Sequence, residues 1–540
     1  MSRLKKNRAS PKPVKSPGSV REAHELLAKL VQLRAAVVRE GTATHERWLL
    51  AIRRPAFRPA AANLAHYLAL RRHDVSGLQS ELSAIGMSSL GRSEAKVLAS
   101  LDAVIATLAR LAGEPPPPYP SAARFHSGQE GISRDKTVLF GPDPAGPGTR
   151  IMVTLPTEAA TNPQLAHELI AAGADCVRIN CAHDTAAVWR AMIANVRKAA
   201  AAAGRSCPVL MDLAGPKCRL AMVWPPPRPR VFMGDRIVLQ ADEQLKPDGK
   251  ARGATLTHPE ILPWLAKGHT VWINDGKIGA RVERPSVRKG DAVHLKVFSV
   301  QQKGARLSVG KGVNFPETAL DLPPLTTQDL RDLDFVARHA DMVGFSFVQK
   351  PADIAWLQRE LSARRQTKAP LPLVIKVETR LAVRNLPELI VQAAGGQPLA
   401  VMIARGDLAV ELGFDSLSEI QEHILWLCEA AHVPVIWATQ VLEGLVRTGA
   451  PSRAEATDAA MAQRAECVML NKGPFLTAGV KFLDRVLHRM DRHQRKKSAR
   501  LEPLDLWTGP RPKMSKATRS PAAPSSRSRQ ASKRDARSRP

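Results

Sequence analysis

Eight short apolar runs separated by stretches of helical periodicity constrain this 540-residue chain more than any other feature. They read "RIMVTL", "ADCVRIN", "PVLMDL", "DMVGFSF", "PLVIKVE", "AVMIARGD", "VPVIWATQ" and "ECVMLNK". Segments such as "NPQLAHELIAAG", "PADIAWLQRELSARR" and "SLSEIQEHILWLCEAA" fall between them. Strands that alternate with helices predict a parallel sheet, and eight of them suggest closure into an α/β fold of the TIM-barrel, (β/α)8, type. The third run breaks the rule, because a long insertion comes after it. Over about 220–306 the texture changes to "RPRVFMGDRIVLQ", "HTVWINDGKIGARVE" and "DAVHLKVFSV", alternating strands with Gly-Asp and Asp-Gly turns. This predicts a small inserted β-barrel domain after strand three, at the C-terminal rim, placed to act as a lid.

The flanks differ from the barrel. Residues 21–113 repeat apolar positions at helical spacing, as in "REAHELLAKLVQLRAAVVREG" and "SEAKVLASLDAVIATLARLAG", with Ser93 placed as a cap. Nothing there gathers reactive groups, so packing is the expected role. The passage "GEPPPPYPSAARFHSGQEGISRDKTVLFGPDPAGPG" reads as a linker without regular structure. The expected boundaries are a disordered basic tail at 1–20, a helical extension at 21–113, a Pro/Gly-rich linker at 114–149, barrel segments at 150–219 and 307–497 around the lid at 220–306, and a disordered Ser/Arg-rich tail at 498–540.

Charge and cysteines narrow the class. The net charge of +29 is concentrated at the ends: residues 1–20 carry six Lys/Arg and no acid, and residues 509–540 carry ten against one. Such tails can touch nucleic acid non-specifically, but with two tyrosines in the chain no base-stacking pattern accompanies them. The remaining positive body suits a polyanionic small substrate. Six scattered cysteines show no metal-ligand spacing and fit a reducing cytoplasm. No run approaches a membrane span, the N-terminus lacks the apolar core of a secretory signal, and its prolines argue against a transit helix.

The run "LPLVIKVETR" places Lys376 and Glu378 where a desolvated charge is expensive. Barrel active sites collect residues from strand C-termini. The other runs end in Arg178 and Asn180, Asp212, Ser346, Asp407 and Thr439, so the charges belong to a convergent set. It offers carboxylates for a hard divalent ion and cations for an anionic substrate. A capped strand end is the plainer reading of any single member.

Over about 150–490 the chain resembles the pyruvate kinase family. The carriers are "GADCVRINCAHD", "MDLAGPKCR", "KGVNFPETALDLPPLTTQDLRDL", "VIKVETR", "MIARGDLAVEL", "VIWATQVLEGLV" and "PSRAEATDAA", in the family's order. The resemblance implies transfer of the phosphoryl group of phosphoenolpyruvate to ADP, giving pyruvate and ATP. It implies that Glu378 and Asp407 hold Mg²⁺ or Mn²⁺, and that Lys376 and Arg178 face the phosphoryl group. Thr439 and Ser346 would orient substrate and proton source, and Asn180, His183 and Arg219 would lie along the nucleotide phosphates. A homo-oligomer is also expected.

Departures from the family's pattern carry their own expectations. Potassium-dependent members hold the ion with four oxygen-bearing residues, and here those places read Asn180, Ala182, Asp212 and Leu213. After Gly-Pro stands Lys217, as in members that need no potassium, so K⁺-independent activity is expected. The strand-one loop reads "TLPTEAATN" and the strand-eight loop "NKGPF", with Lys472 in a region where the family has a carboxylate. The chain beyond strand eight is short, so the family's C-terminal regulatory domain is expected to be missing. Two other readings stay open: a non-catalytic nucleotide- or metabolite-binding scaffold, and another barrel enzyme acting on phosphoenolpyruvate or pyruvate.

Overall fold

The computed structural model describes residues 20–142, 148–224, 230–241, 252–286, 292–367, 369–495 and 498–499. Apart from their innermost residues, the tails expected at 1–20 and 498–540 lie outside the described residues. The chain begins with α1 (Val20–Trp48), α2 (Arg58–Leu70), α3 (Ser76–Ala84), α4 (Val97–Leu111) and α5 (Ala122–Phe140). Next come β1 (Arg150–Thr154), α6 (Pro163–Ala171), β2 (Cys176–Asn180), α7 (Ala186–Ala202) and β3 (Val209–Asp212). The insert holds β4 (Leu220–Trp224), β5 (Arg230–Val231), β6 (Arg236–Gln240), β7 (Arg252–Leu256), β8 (Thr270–Ile273), β9 (Ile278–Arg284), β10 (Val293–Val300), β11 (Ala305–Arg306) and β12 (Val313–Asn314). The alternation resumes with α8 (Thr327–His339), β13 (Met342–Phe345), α9 (Pro351–Arg364), β14 (Leu373–Val377), α10 (Arg380–Arg384), α11 (Leu386–Ala394) and β15 (Leu399–Ala404). It ends with α12 (Arg405–Leu412), α13 (Phe414–Ala430), β16 (Val435–Ala438), α14 (Glu443–Thr448), α15 (Arg453–Ala462), β17 (Cys467–Leu470) and α16 (Leu476–His493).

The eight runs become a closed parallel barrel in the order β1-β17-β16-β15-β14-β13-β3-β2. Every residue of β1, β3 and β13 to β17 is buried, as covering helices outside and a packed interior require. β2 departs from this, being half-buried at Arg178 and Asn180. Local chemistry starts the helices where the pattern placed them. The Thr326 hydroxyl accepts from the Asp329 N–H at 3.0 Å while Asp329 accepts from the Thr326 N–H at 2.9 Å, a reciprocal cap on α8. No helix among the described residues is long and apolar enough to cross a membrane.

The insert forms a seven-stranded sheet, ordered β12-β8-β9-β10-β6-β7-β4, over its own apolar core. Its two edges meet at the root, where Val313 N–H donates to Cys218 O at 2.9 Å and Leu220 N–H to Lys311 O at 2.9 Å. The sheet therefore rolls nearly shut, leaving little open edge.

The leading helices pack on the N-terminal ends of the barrel strands. Asn63 of α2 joins three pieces: its amide donates to Glu94 O at 2.7 Å and to Ala430 O at 2.8 Å, and its oxygen accepts from Val97 N–H at 2.9 Å. Arg53 and Arg54 N–H groups reach Gly395 O at 2.9 and 2.7 Å. Ser93 does not cap a helix side-chain-first as expected; its hydroxyl donates to Leu90 O at 2.8 Å, and a 3-10 turn at Glu94–Lys96 precedes α4.

The stretch 114–149, expected to lack regular structure, instead contains the 19-residue helix α5. Its glycines are what misled the pattern, because they lower helix propensity yet suit a tight packing site. A Cβ on Gly128 would lie 2.3 Å from Ala95 O and 2.7 Å from His432 Nε2. Tertiary packing therefore outweighs propensity. At its C-terminal end, Leu139 and Phe140 join the cluster inside the barrel with Met152, Leu210, Met342 and Met402. α5 plugs the barrel floor. Phe140 is 1% exposed, so Phe140→Ala should cost about 3–5 kcal/mol, read as a lowered unfolding midpoint in denaturant. An unchanged midpoint would mean that the floor does not depend on the plug.

Candidate active site

At the opposite, C-terminal mouth the strand ends bring their polar residues together. Asp212, ending β3, is 1% exposed and cannot stay charged there without cations. It has two. Arg178 of β2 approaches one of its oxygens at 2.6 Å (Nη2) and 2.8 Å (Nε), and Lys376 of β14 lies 3.3 Å from the same oxygen. Burial raises the Asp212 carboxyl's affinity for a proton, but Lys376 and Arg178 more than offset it and hold it below the ordinary range. Burial likewise pulls the Lys376 amine down, while Asp212 and Glu378 hold it above its ordinary value. Lys376 stays an ammonium.

That ammonium is the hub. Its Nζ donates to Ser346 Oγ at 2.8 Å and lies 3.1 Å from Glu378 Oε1. The Ser346 hydroxyl in turn donates to Leu213 O at 2.7 Å, and Arg178 also reaches Thr154 Oγ1 at 3.2 Å. The second Glu378 oxygen accepts from the Phe347 N–H at 2.6 Å. Gly215 (φ 66°) presses on this corner, since a Cβ there would lie 3.0 Å from both Ser346 O and Ser346 Cβ. Any side chain at 215 would push Ser346 off the lysine.

A second pair stands beside the hub. Lys217 Nζ sits 2.7 and 2.9 Å from the two Asp407 oxygens, joining the turn after β3 to the first turn of α12. Asp407 is felt at Glu378: burial raises the Glu378 proton affinity, Lys376 opposes this, and the Asp407 charge adds to the rise. Lys376 and Glu378 thus stand in contact at 3.1 Å, and Lys217, which holds Asp407, lies 5.8 Å from the ring centre of Phe347, whose N–H binds Glu378. Glu378 and Asp407 are the carboxylates here that could hold a metal ion. No cluster of three or more His, Cys, Asp or Glu suited to one ion occurs among the described residues, so an all-protein cage is absent there.

Thr439 follows β16 with φ 69° and Phe347 follows β13 with φ 55°, two left-handed non-glycine residues at the mouth. Arg405 fixes the Thr439 loop, donating to Thr439 O at 2.7 Å while pairing with Asp458 at 2.5 and 2.9 Å. A Cβ on Gly406 would lie 2.7 Å from Thr439 Cγ2, so Thr439 packs directly against the residue before Asp407.

The three residues expected along a nucleotide lie on the β2 loop and the lid root. Asn180 spends its amide oxygen on its own loop, accepting from Ala182 N–H at 3.2 Å. His183 is held below its ordinary value first by burial and then by the Lys472 charge, with Arg219 and Arg178 adding to it, so its imidazole is neutral. Arg219 donates to Gly310 O at 3.0 Å across the root of the insert. A hollow of about 460 Å³ opens between the loops after β1 and β17, lined by Pro156, Thr157, Glu158, Leu165, Lys472 and Pro474 among others. Thr157 Oγ1 donates to Asp184 at 2.9 Å and so ties it to the His183 loop.

One group escaped the sequence reading. Glu411, one turn beyond Asp407 on α12, is buried and its carboxyl accepts from the Asn314 amide of β12 at 3.1 Å. Burial pushes it up to about 7, Asn314 pulling the other way and Asp407 adding to the rise. The four-residue spacing to Asp407 was the available signal. Below the unfolded value of 4.5 the carboxyl is neutral in both states; between 4.5 and about 7 the fold keeps a proton the unfolded chain sheds; above that it buries an anion. This group therefore removes stability as pH rises through that window. Glu411→Gln should gain up to about 3 kcal/mol over the parent between pH 4.5 and pH 8. Denaturant midpoints at both pH values read it, and a pH-independent difference would place the carboxyl in water.

Comparison with known proteins agrees on one family. The model described as "Pyruvate kinase, barrel domain" matches residues 147–475. The chain is 33% identical over 356 residues to a pyruvate kinase of Methylorubrum extorquens, covering 64% of this chain and 69% of that protein. It is 30% identical to a probable cytosolic pyruvate kinase isozyme of Arabidopsis thaliana, covering 60% of this chain and 63% of that one. Human pyruvate kinase PKLR is 30% identical over 352 residues, covering 62% and 58%. The chain thus spans between 58% and 69% of the length of these relatives.

Proposed function

The chain belongs to the pyruvate kinase family, whose members are phosphotransferases, and on that premise we propose that it moves the phosphoryl group of phosphoenolpyruvate to ADP, giving pyruvate and ATP. The observation that carries the reading is the Lys376 ammonium, held charged between Asp212, Glu378 and Ser346 at the barrel mouth. A cation fixed in a dry site stabilises transferred negative charge without reorganising, which is where phosphoryl transfer finds most of its catalysis.

In this reading Lys376 and Arg178 face the phosphoryl group as its bond to the enol oxygen breaks and a bond to the terminal ADP oxygen forms. The electron pair left on the enol oxygen gives an enolate, which Lys376 stabilises. Ser346 and Thr439 orient the substrate and the donor whose proton ends on carbon, completing pyruvate. Glu378 and Asp407 would hold Mg²⁺ or Mn²⁺: both are hard oxygen donors, and their mutual repulsion is what a divalent cation relieves. When bound, such an ion supplies further positive charge to the phosphoryl oxygens. Asn180, neutral His183 and Arg219 line the approach of the nucleotide phosphates. The hollow by Pro156 and Lys472 has the size to take the nucleoside.

Lys217 supports independence from potassium. Its ammonium, held on Asp407, stands in for charge that a monovalent ion would bring, and Ala182 and Leu213 offer no side-chain oxygen to hold one. Formation of pyruvate from phosphoenolpyruvate and ADP with Mg²⁺ tests both statements. Turnover should be the same whether K⁺ or tetramethylammonium is the monovalent cation, and a requirement for K⁺ would end the Lys217 argument. A cation about 4 Å from a phosphate oxygen is worth roughly 4 kcal/mol at an effective dielectric near 20, so Lys376→Met should cost about 10³-fold in turnover. Absence of turnover in the parent protein would leave the scaffold reading in its place.

A further inference from the structure

A second cavity, of about 400 Å³, lies at the N-terminal ends of the strands, away from the residues above. Its walls come from α2, α4, α5 and their connections, and His432, in the turn before β16, is the barrel's contribution. The space exists because the residues lining it are small: Ala60, Ala95, Ala99 and Gly131 leave room where longer side chains would fill it. Its size is that of a pocket for a small metabolite.

The charges around it are unbalanced. Four cations, Arg54, Lys96, Arg124 and Arg134, line the cavity against two carboxylates, Glu130 and Asp135. Two of the nearby acids are already shared between cations. Asp135 takes Arg54 at 2.9 Å and Arg134 at 3.2 Å, and Asp102 takes Arg124 at 3.3 Å as well as Arg34. Lys96 Nζ rests 5.1 Å from the centre of the Phe125 ring, which holds an ammonium in place without cancelling its charge. His66 is kept below its ordinary value by burial and then by His45, so it adds a hydrogen-bonding ring and no charge. Positive groups converging on a concave wall concentrate anions there, and phosphate oxygens match guanidinium and ammonium donors best.

We propose that this cavity binds a small phosphorylated molecule, with its phosphate on Lys96 and Arg124 and its body over the alanine floor. The site is independent of the barrel mouth. Occupancy ties α5 to α4, and α5 is the helix whose end closes the barrel floor. Binding therefore stabilises the whole fold by mass action, in proportion to how far ligand exceeds its dissociation constant.

Inorganic pyrophosphate, titrated calorimetrically into the full chain at constant ionic strength without divalent ions, tests the site. The expected result is a binding event that weakens tenfold or more in the Lys96→Gln, Arg124→Gln double variant, which keeps both side chains polar and removes two charges. The unfolding temperature without ligand and the turnover of phosphoenolpyruvate with ADP should stay at parental values in that variant. Ala99→Met, which fills the floor and leaves the charges alone, should weaken the same event. Lys376→Met should leave it intact, separating it from the barrel mouth. Parental affinity in either cavity variant, or loss of the event in Lys376→Met, would overturn the proposal. Because calorimetry reads binding directly, an absence of turnover would count against the proposed reaction and not against this site.

Discussion

The mouth of the barrel is organised around a carboxylate that has no access to water. Asp212 is wholly enclosed, and an uncompensated charge there would cost several kcal/mol. Arg178 and Lys376 compensate it from the two sides. That clamp fixes the lysine, the lysine fixes Ser346 and one face of Glu378, and Glu378 in turn feels Asp407. Three cations, Arg178, Lys376 and Lys217, thereby balance three acids, Asp212, Glu378 and Asp407, without a surplus of either sign. A site balanced in this way is held ready. Charge brought by a substrate is met by dipoles and ions already in place, and little has to move to receive it.

What could be read from the sequence depends on how local its cause is. The eight barrel strands were legible because a strand buried on both faces needs an unbroken apolar run, so a polar residue at its end stands out. Lys376, Glu378 and Asp212 were found that way. The pairing of Lys217 with Asp407 was not, because it joins positions 190 residues apart and each side chain is ordinary by itself. Glu411 looked like any helical glutamate until Asn314 of the insert was seen to cover it. α5 was hidden for the opposite reason. Its Gly128 and Gly131 weaken the helical pattern, and the contacts with Ala95 and His432 that demand them come from distant parts of the chain.

The insert is attached to the catalytic frame at more than its two connecting strands. Asn314 reaches Glu411, and a Cβ on Gly276, in the turn between β8 and β9, would lie 3.5 Å from Val410. Both contacts fall on α12, the short helix that also presents Asp407. The insert thus rests on the helix that carries a candidate metal ligand, and the Glu411 carboxyl, uncharged at mildly acid pH, sits at the joint.

The plug formed by Leu139 and Phe140 makes the barrel a structure that is not self-sufficient. A cylinder cut out at Arg150 would keep all its strands and still have a greasy hole at one end, lined by methionine and aliphatic side chains. The stopper precedes every stave along the chain, and β17, more than three hundred residues later, comes round to meet β1. The helical preface is for this reason part of the enzyme's architecture and no mere ornament on it.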